Sequence, residues 1–514
     1  MRENGPAANS DSKSAPLSRA VIIAVLAASL MVGAFAISNQ SYWIDEALSL
    51  IIAKAPNPAE AWRYAQAVSG STLQMPLYQL YLYGWHKVFG NGEWTMRASN
   101  LPWFLFGQLA FVVVLRHKPR LALFACLLAA VSPLLWMYLD ETRPYIMQYA
   151  AACWLVAAIA RFSTGPGEPS APWLWMALAV AVAVLFASSL LGVIWAGAYV
   201  LALAFLLSGN KDGGTFFKGL KTATVTAILL ILVFGAYYAI TWSDAGRGYH
   251  RSGVSLLSLP FISYEMLGFS GFGPGKLQMR IEPVRSVLRN LPALFPLAAT
   301  LALFAFFVIR ASTRRSWNRP AVTAWILALG IPTLVIFAGM FLFEHRPLPR
   351  HFLPALPAIL LGLASGLCLA FGQKSLLWRS VAILVPLLWL GSALNFRWQP
   401  AHAKDDYRTA AAVAAAALRD NKEVWWAADP AAAYVYLTPI ALEEVPGRAW
   451  AMQAPSWDAI RFKFPPRVIV ISKPDIYDPQ GAVARYAAEN RFVPALQLQA
   501  FTIFAREGDE LPAP

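Results

Sequence analysis

A series of long apolar runs, separated by short charged segments, constrains this chain more than any other feature. Its 514 residues are 58% hydrophobic and only 14% charged, and the mean hydropathy is +0.49. Soluble domains carry about 25% charged residues. An apolar run of about 20 residues crosses the hydrocarbon core as a helix, because a helix satisfies its own backbone polar groups. The sequence therefore predicts a polytopic α-helical membrane protein.

The basic clusters between the apolar runs indicate the orientation of the chain. They lie at residues 116–120, 211–221, 310–319 and 374–379. If the short aromatic segment 76–90 crossed the membrane, all four clusters would face outward. If it lies at the membrane surface, all four face the cytoplasm, as the positive-inside rule requires. We therefore place segment 76–90 at the interface as a surface helix.

This topology predicts about eleven transmembrane helices. They lie at residues 20–37, 94–115, 120–137, 144–161, 172–187, 191–208, 219–241, 288–309, 321–343, 352–371 and 379–394. The first run also resembles a signal peptide ending near residues 34–36. It is long enough to span the membrane, however, and this favours an uncleaved first helix.

Changes of composition divide the chain into three parts. Residues 1–18 are polar and aperiodic and predict a disordered cytoplasmic tail. Residues 19–394 form the transmembrane domain, in which residues 38–93 are the first periplasmic loop with juxtamembrane helices. Residues 395–514 predict a small soluble α/β domain on the periplasmic side. The predicted elements of that domain are a helix opening at 404–408, strands at 423–427, 467–472 and 501–504, and a helix at 481–490.

The net charge of +14 does not indicate nucleic-acid binding, because the Lys and Arg residues form short clusters between apolar runs. Cys126, Cys153 and Cys368 lie inside apolar runs, and their odd number and irregular spacing predict neither a disulfide framework nor a zinc site. The C-terminal part has no GxGxxG or P-loop pattern for nucleotides. The basic clusters are typical of topology signals and suit contacts with anionic lipid or phosphate.

Charged residues that are uncommon near membrane helices lie on the predicted outward face. They are the carboxylates Asp45, Glu46, Asp140 and Glu141, and the arginines Arg143, Arg346 and Arg350. A carboxylate acts as a general base toward a hydroxyl or holds a divalent metal ion, and an arginine binds phosphate oxygens in a bidentate way. Together these groups suit transfer from a phosphate leaving group.

Each of these signals also has a simpler explanation. The first carboxylate pair suits a solvated helix start, where acids interact favourably with the helix dipole. Arg346 and Arg350 suit anchors for lipid headgroups, and Glu141 with Arg143 suits a local ion pair. Their position on one shared face is what favours a site.

Aromatic residues accompany the same face. Trp43, Tyr78 and Tyr145 are candidate contacts for the acceptor or the sugar. The aromatic residues near 78–85 also suit an interfacial aromatic belt. The loop histidines have no third ligand at a spacing typical of metal sites, so the sequence assigns no metal ligand. A divalent metal ion is neither assigned nor excluded as a cofactor at this point.

The order of several short motifs resembles the GT-C membrane glycosyltransferases, and more narrowly the bacterial branch related to protein O-mannosyltransferases and aminoarabinose transferases. The motifs are Tyr42-Trp43-Ile44-Asp45-Glu46 after the first helix, Pro76-Leu77-Tyr78 running into Phe89-Gly90, the segment 93–97, Ser132-Pro133, the segment 138–145 and Arg350-His351-Phe352-Leu353-Pro354. The resemblance covers residues 20–410, and the specific part is the order and spacing of these motifs.

The resemblance implies an activity and a location. In that superfamily the donor is a polyprenyl-phosphate sugar, and transfer occurs with inversion on the outer face of the membrane. For a bacterial inner-membrane protein the carrier is undecaprenyl phosphate, and the acceptor hydroxyl belongs to a lipid, a polysaccharide or a protein. The acidic residue of the first outer loop is the expected base or acceptor-positioning group, which here is Asp45, with Glu46 beside it.

The resemblance also assigns the later motifs. The second acidic turn corresponds to Asp140 and Glu141, the arginine after it to Arg143, and the arginine before the Leu-Pro run to Arg350, near the donor phosphate. Two segments depart from the pattern: residues 74–77 read Gln-Met-Pro-Leu where relatives have Pro-Pro-Leu, and residues 139–143 add an acid to the usual turn.

Two other functions share part of these features. A transporter or flippase of lipid-linked sugars would also need the arginines and a lipid cavity, but it predicts inverted repeats and discontinuous helices, which the sequence does not display. A non-catalytic scaffold of a polysaccharide assembly machine would need the acids only as a helix start. Replacement of Asp45 by Asn separates these functions from a transferase.

Overall fold

The structure is a computed structural model. It describes residues 15–68, 70–163, 172–208, 228–229, 231–243, 255–312, 318–344, 346–452 and 463–511. Most of the predicted tail, the basic cluster 211–221 and the start of the predicted helix 219–241 lie outside the described residues.

Helices make up most of the chain before residue 400. They are α1 (Arg19–Ala36), α2 (Ile44–Ala53), α3 (Pro58–Val68), α4 (Pro76–Phe89), α5 (Glu93–Arg97), α6 (Asn100–Val114), α7 (Pro119–Ala130), α8 (Pro133–Leu139), α9 (Tyr145–Phe162), α10 (Pro172–Ser188), α11 (Gly192–Ser208), α12 (Ile231–Ser243), α13 (Ser258–Met266), α14 (Lys276–Ile281), α15 (Pro283–Arg289), α16 (Leu291–Ser312), α17 (Arg319–Trp325), α18 (Ile331–Phe343), α19 (Leu356–Phe371) and α20 (Leu376–Trp398). A π turn at Ile326–Gly330 joins α17 to α18, and a 3₁₀ helix at Pro349–Ala355 precedes α19.

Six helices of the described residues are long and apolar enough to cross a membrane, or seven if the bent pair α7 and α8 counts as one span. The chain is therefore a multi-pass membrane protein. Helices α10, α11 and α12 are apolar but shorter, so the predicted number of eleven spans stays a prediction. The last long helix extends to Trp398, beyond the predicted end at residue 394.

Two predicted spans are interrupted. The predicted helix 120–137 is bent by 59° between α7 and α8. The bend occurs at Ser132-Pro133, because Pro has no N–H for the helix ladder and Ser132 Oγ caps α8 by accepting the Leu135 N–H at 3.4 Å. The predicted helix 94–115 is divided into α5 and α6. Both interruptions bring polar residues to the same end of the bundle.

The first loop is helical, as predicted, and its segments Pro58–Val68 and Pro76–Phe89 form α3 and α4. Pro76 begins α4 and Gly90 ends it with φ of +85°, a conformation that glycine adopts without a Cβ penalty. Helix α2 packs on α3 and α4. Together they form a platform that carries the first carboxylate pair.

The C-terminal part is an α/β domain built on one mixed sheet. Its strands are β1 (Val424–Ala427), β2 (Ile440–Ala441), β3 (Ala449–Ala451), β4 (Val468–Ser472), β5 (Phe492–Leu498) and β6 (Phe501–Arg506), in the order β2-β3-β1-β4-β6-β5. Its helices are α21 (Tyr407–Arg419), α22 (Pro430–Val435), α23 (Pro474–Tyr477) and α24 (Ala482–Glu489). The three predicted strands are β1, β4 and β6, and the predicted helix 481–490 is α24.

The sequence missed β2, β3 and β5 for different reasons. Strands β2 and β3 have only two and three residues, too few to display a period. Strand β5 contains Pro494, and it lies at the sheet edge beside β6, where a missing N–H is tolerated.

The α/β domain rests on the first loop. Helix α22 packs on α2. The Tyr436 hydroxyl accepts the Tyr42 N–H at 2.7 Å and donates to Glu93 at 3.1 Å, and Arg408 pairs with the same Glu93 at 3.1 Å. The segment between α1 and α2 is therefore held between the bundle and the C-terminal domain.

Candidate active site

The two acids of the first loop have different environments, although they are adjacent in the sequence. Glu46 is fully buried, whereas the Asp45 side chain is 21% exposed. Glu46 Oε1 accepts the Thr142 N–H at 2.9 Å, and Oε2 accepts the Trp43 N–H at 3.3 Å. Glu46 is therefore more than the first-turn acid of a solvated helix, because it ties α2 to the second acidic turn.

Arg97, at the end of α5, is the main partner of Glu46. Its guanidinium is fully buried and donates from Nε to Oε1 at 2.9 Å and from Nη2 to Oε2 at 2.8 Å. It also donates to the backbone carbonyls of Ser38, Gln40 and Ser41 at 3.0, 2.7 and 3.1 Å. A bidentate Arg–carboxylate pair with this many further bonds fixes the loop before α2 in one conformation.

Lys404, in the link to the C-terminal domain, completes this group, which we call the Arg97 cluster (Glu46, Arg97, Asp140 and Lys404). Lys404 Nζ lies 3.1 Å from Glu46 Oε2 and 3.5 Å from Asp140 Oδ2, and it donates to the Asp140 carbonyl. Burial alone would raise the pKa of Glu46, but the charges of Arg97 and Lys404 outweigh it and lower that pKa to about 2. Glu46 is therefore an anion throughout the physiological range.

The second acidic turn is fixed by the loop before α2 and by α6. Asp140 accepts the Ser38 N–H at 2.5 Å and the Ser38 hydroxyl at 2.9 Å. Asn100 donates its amide to the carbonyls of Tyr138, Leu139 and Glu141, at 3.3, 3.1 and 2.7 Å. The turn is thus rigid, and the predicted meeting of the two acidic loops occurs in the structure.

Asp45 pairs with Arg350, and we call these two residues the Asp45 pair. The Arg350 Nη1 lies 3.3 Å from Asp45 Oδ2, across 305 residues of sequence. The two side chains are 21% and 30% exposed, so the pair is accessible. A single long hydrogen bond between partly open charges leaves the remaining donors of Arg350 available to another anion.

Arg143 lies behind the Asp45 pair. Its Nη1 donates to the Ser49 hydroxyl at 3.1 Å and to the Asp45 carbonyl at 3.4 Å, and its Nη2 donates to Ser71 at 3.2 Å. Its Nε is buried and has no hydrogen-bond partner among the described residues. The sequence also suggested a local ion pair between the side chains of Glu141 and Arg143. In the structure, Glu141 pairs with Lys276 instead.

The other predicted site residues differ in exposure. Tyr78 is fully buried within the helical platform, so the predicted contact with acceptor or sugar through Tyr78 does not fit this conformation. Tyr145 is buried against Tyr138 at 4.8 Å between ring centroids. Trp43 lines a cavity, and Arg346 is exposed in the segment before the 3₁₀ helix.

A second pair of acids lies beside the turn. Glu141 Oε1 is 3.5 Å from Lys276 Nζ. Glu265 of α13 is buried and interacts electrostatically with the same lysine. Burial raises the pKa of both carboxyls; for Glu265 the lysine lowers it only in part and the charge of Glu141 raises it further, to about 7. This acid therefore changes charge near neutral pH.

A cavity of about 200 Å³ lies between the bundle and the C-terminal domain. Its walls include Trp43, both acids of the second turn, Lys276 of α14 and Lys404. Among the described residues, no group of three or more His, Cys, Asp or Glu side chains is placed to hold a metal ion.

The architecture is similar to that of ArnT, which has been solved in two states. ArnT from Cupriavidus metallidurans in the apo state superposes with a TM-score of 0.52 at 13% identity, over 95% of this chain and 98% of ArnT. The same protein bound to undecaprenyl phosphate gives a TM-score of 0.52 at 14% identity, over 97% and 100% of the two chains. This chain has a GT-C fold. No known protein-family model matches its sequence, and no curated protein matches it.

The fold is therefore the one that the order of the sequence motifs predicted. Three cations of its site were missed by the sequence reasoning: Arg97, Lys404 and Lys276. Arg97 carried a usable signal, because an arginine at the start of a predicted span is costly unless it is paired inside the protein. Lys404 and Lys276 lie in polar segments far apart in the sequence, and only the tertiary structure brings them to the acids.

Proposed function

We propose that this protein is an inverting membrane glycosyltransferase. It moves a sugar from undecaprenyl phosphate, or a similar polyprenyl phosphate, to an acceptor hydroxyl at the periplasmic face of the bacterial inner membrane. The observation that carries the proposal is the accessible Asp45 pair, in which a carboxylate and an arginine from distant elements meet at 3.3 Å. Support also comes from the shared fold with ArnT, which has been solved with undecaprenyl phosphate bound.

Arg350 is the proposed anchor of the donor phosphate. A phosphate carries more charge than a carboxylate and offers several acceptor oxygens to a guanidinium, so it competes well for Arg350. Arg143 supplies a second guanidinium behind Asp45, with a buried Nε that no described residue satisfies. The exposed Arg346 is four residues from Arg350 and extends the positive charge toward the lipid headgroup region.

Asp45 is the proposed general base. When the donor phosphate takes Arg350, the Asp45 carboxylate loses its partner and is left to accept a proton. The acceptor hydroxyl oxygen attacks the anomeric carbon while Asp45 takes the hydroxyl proton. The bond between that carbon and the phosphate oxygen breaks, and its electron pair leaves with the lipid phosphate, whose charge the arginines stabilise.

The Arg97 cluster has a positioning role in this proposal. Both oxygens of Glu46 are occupied by Arg97, Thr142, Trp43 and Lys404, so this acid is not available to a substrate. Glu46 fixes the first turn of α2, and Asp45 is the residue before it in that turn. Asp140 fixes the loop before α2 in the same way. Glu141 faces the cavity, and in this proposal its carboxylate is the group that would bind a divalent metal ion there.

The test uses purified protein in nanodiscs with a panel of undecaprenyl-phosphate sugars and membrane extract as the acceptor source. Release of undecaprenyl phosphate is measured for the wild type and for Asp45→Asn. We expect turnover by the wild type and a loss of at least about 100-fold in the variant, because a general base contributes about 10²–10⁴-fold. Donor binding should persist.

Two results would contradict the proposal. Donor binding without turnover in the wild type would favour a transporter or a scaffold. Full turnover by Asp45→Asn would retain a transferase but remove Asp45 from the chemical step. Arg289→Ala is a suitable control, because Arg289, at the end of α15, pairs with Glu282 at 3.3 Å and its side chain is 68% exposed.

A further inference from the structure

The cavity between the bundle and the C-terminal domain contains cations that the Asp45 chemistry does not use. Five Lys or Arg residues and three Asp or Glu residues line it. Three of the five cations already have close carboxylate partners: Lys404 in the Arg97 cluster, Lys473 with Asp405 at 2.5 Å, and Arg280 with Asp475 at 2.6 Å. Of the other two, Lys276 has a longer contact with Glu141 at 3.5 Å, and Arg397 pairs with no carboxylate of the described residues.

Arg397, in the last turn of α20, has no carboxylate within 4 Å among the residues that the structure describes. Its Nη2 donates to the Ile37 carbonyl at 3.5 Å, a long contact, and its buried Nε has no hydrogen-bond partner among the described residues. A buried guanidinium donor that lacks an acceptor is costly, so its position beside a cavity points to a ligand that supplies the missing acceptor. The planar fork of Arg fits a phosphate or a carboxylate.

Two other groups add to this pattern. Lys276 pairs with Glu141 at 3.5 Å, yet 63% of its side chain is exposed, so it remains accessible to a second anion. Trp43 faces the same cavity, and its indole Nε1 is buried without a described partner. An aromatic face with a free N–H donor suits a sugar ring with its hydroxyls.

We propose that this cavity binds the acceptor, and that the acceptor is a sugar carrying a phosphate or carboxylate group. This inference rests on the proposed function. Arg397 and Lys276 bind the anionic group. Trp43, which precedes Asp45 by two residues in the sequence, contacts the ring beside Glu141. The C-terminal domain completes the site, because Lys473 and Gln499 form part of its wall.

The anionic group has two possible sources, a lipid headgroup or a non-lipid glycan. Binding of glucose 1-phosphate, glucuronate and glucose is measured by calorimetry with the full chain in phosphatidylcholine nanodiscs, and again with phosphatidylglycerol as the lipid. We expect both acids to bind at least about tenfold more tightly than glucose. Weaker binding of glucose 1-phosphate in phosphatidylglycerol nanodiscs would show that the lipid headgroup competes for the site, and would support an acceptor whose anionic group belongs to a lipid. Unchanged binding would support an acceptor that is a non-lipid glycan.

Variants assign the selectivity to the cavity. Arg397→Gln should bind the two acids no more tightly than glucose, and Arg397→Lys should recover part of the difference. Arg289→Gln, on α15 and outside the cavity, should behave as the wild type. If Arg397→Gln does not fold, Trp43→Phe replaces it, with an expected loss of affinity for all three sugars.

Equal affinity of the wild type for glucose and glucose 1-phosphate would overturn the inference. So would unaltered selectivity in folded Arg397→Gln. The proposed function is judged separately by release of undecaprenyl phosphate. Turnover with an acceptor KM that Arg397→Gln leaves unchanged contradicts only the acceptor site. Acid-selective binding that depends on Arg397, without turnover on any donor, contradicts only the transferase.

Discussion

The Asp45 pair and the Arg97 cluster begin one residue apart in the sequence but have opposite physical character. In the cluster, Glu46 is fully buried and receives two bonds from Arg97, one from Thr142 and one from Lys404. In the pair, Asp45 has one contact at 3.3 Å with Arg350, and both side chains are partly exposed. The first arrangement resists change, and the second is open to exchange of partners.

This difference explains why adjacent acids serve separate purposes. A buried ion pair fixes geometry, because removal of either partner leaves an uncompensated charge. A partly solvated pair costs little to open, so a phosphate is able to take the arginine. Helix α2 presents one residue to the interior and the preceding residue to the site. Four experiments test this contrast.

The largest expected effect is the loss of Arg97. We expect Arg97→Leu to destabilise the protein by about 3–5 kcal/mol, because Glu46 would remain buried without its main counterion. Thermal unfolding in detergent measures the change. The matched control Arg63→Leu should cost less than about 1 kcal/mol, since Arg63 pairs with Glu60 at an exposed position. Similar values for the two variants would contradict the contrast.

The pH dependence of stability is the second test. The pKa of Glu46 is about 2 in the folded protein against an ordinary value of 4.5, so Glu46 stabilises the fold above pH 4.5 and this contribution is lost as the pH falls toward 2. The loss is about 3 kcal/mol. Glu46→Gln should be less stable at pH 7 but should have a flatter profile between pH 4.5 and 2. Parallel profiles would show that another acid governs this range.

Arg350 should affect the donor more than the fold. We expect Arg350→Ala to raise the apparent KM for the lipid donor about tenfold, because one charge-assisted contact with phosphate is lost. The unfolding temperature should change little, since the Asp45 pair is partly exposed. The KM of Arg350→Lys for the lipid donor should lie between the values of the wild type and of Arg350→Ala. An unchanged KM would remove Arg350 from the phosphate site.

The smallest effect is expected where the C-terminal domain meets the first loop at the surface. Arg408 pairs with Glu93 at 3.1 Å, and half of its side chain is exposed. Arg408→Ala should cost less than about 1 kcal/mol, measured as the change in unfolding temperature. Lys404→Ala, which removes a 13% exposed side chain from the Arg97 cluster, should cost more. A larger loss of stability in Arg408→Ala than in Lys404→Ala would mean that the exposed ion pair stabilises the contact between the C-terminal domain and the first loop more than the buried cluster does.

The amino-acid sequence by itself determined the class of this protein. Long apolar runs must become helices in a membrane, since the backbone has no other partner there. The same reasoning located α1, α9, α16 and the later helices, and short apolar runs located β1, β4 and β6. The order of short motifs around Asp45 and Arg350 indicated the fold that the comparison with ArnT confirms.

Only the tertiary structure decided which acid is buried and which cation meets it. Arg97 and Glu46 are 51 residues apart, and Lys404 and Glu46 are 358 residues apart. No local period or spacing encodes such pairs, because they depend on where α5 and the link after α20 pack around α2. The same is true of Tyr78, whose aromatic ring is equally suited to a surface and to a core. Packing, rather than residue type, assigns each of these side chains its environment.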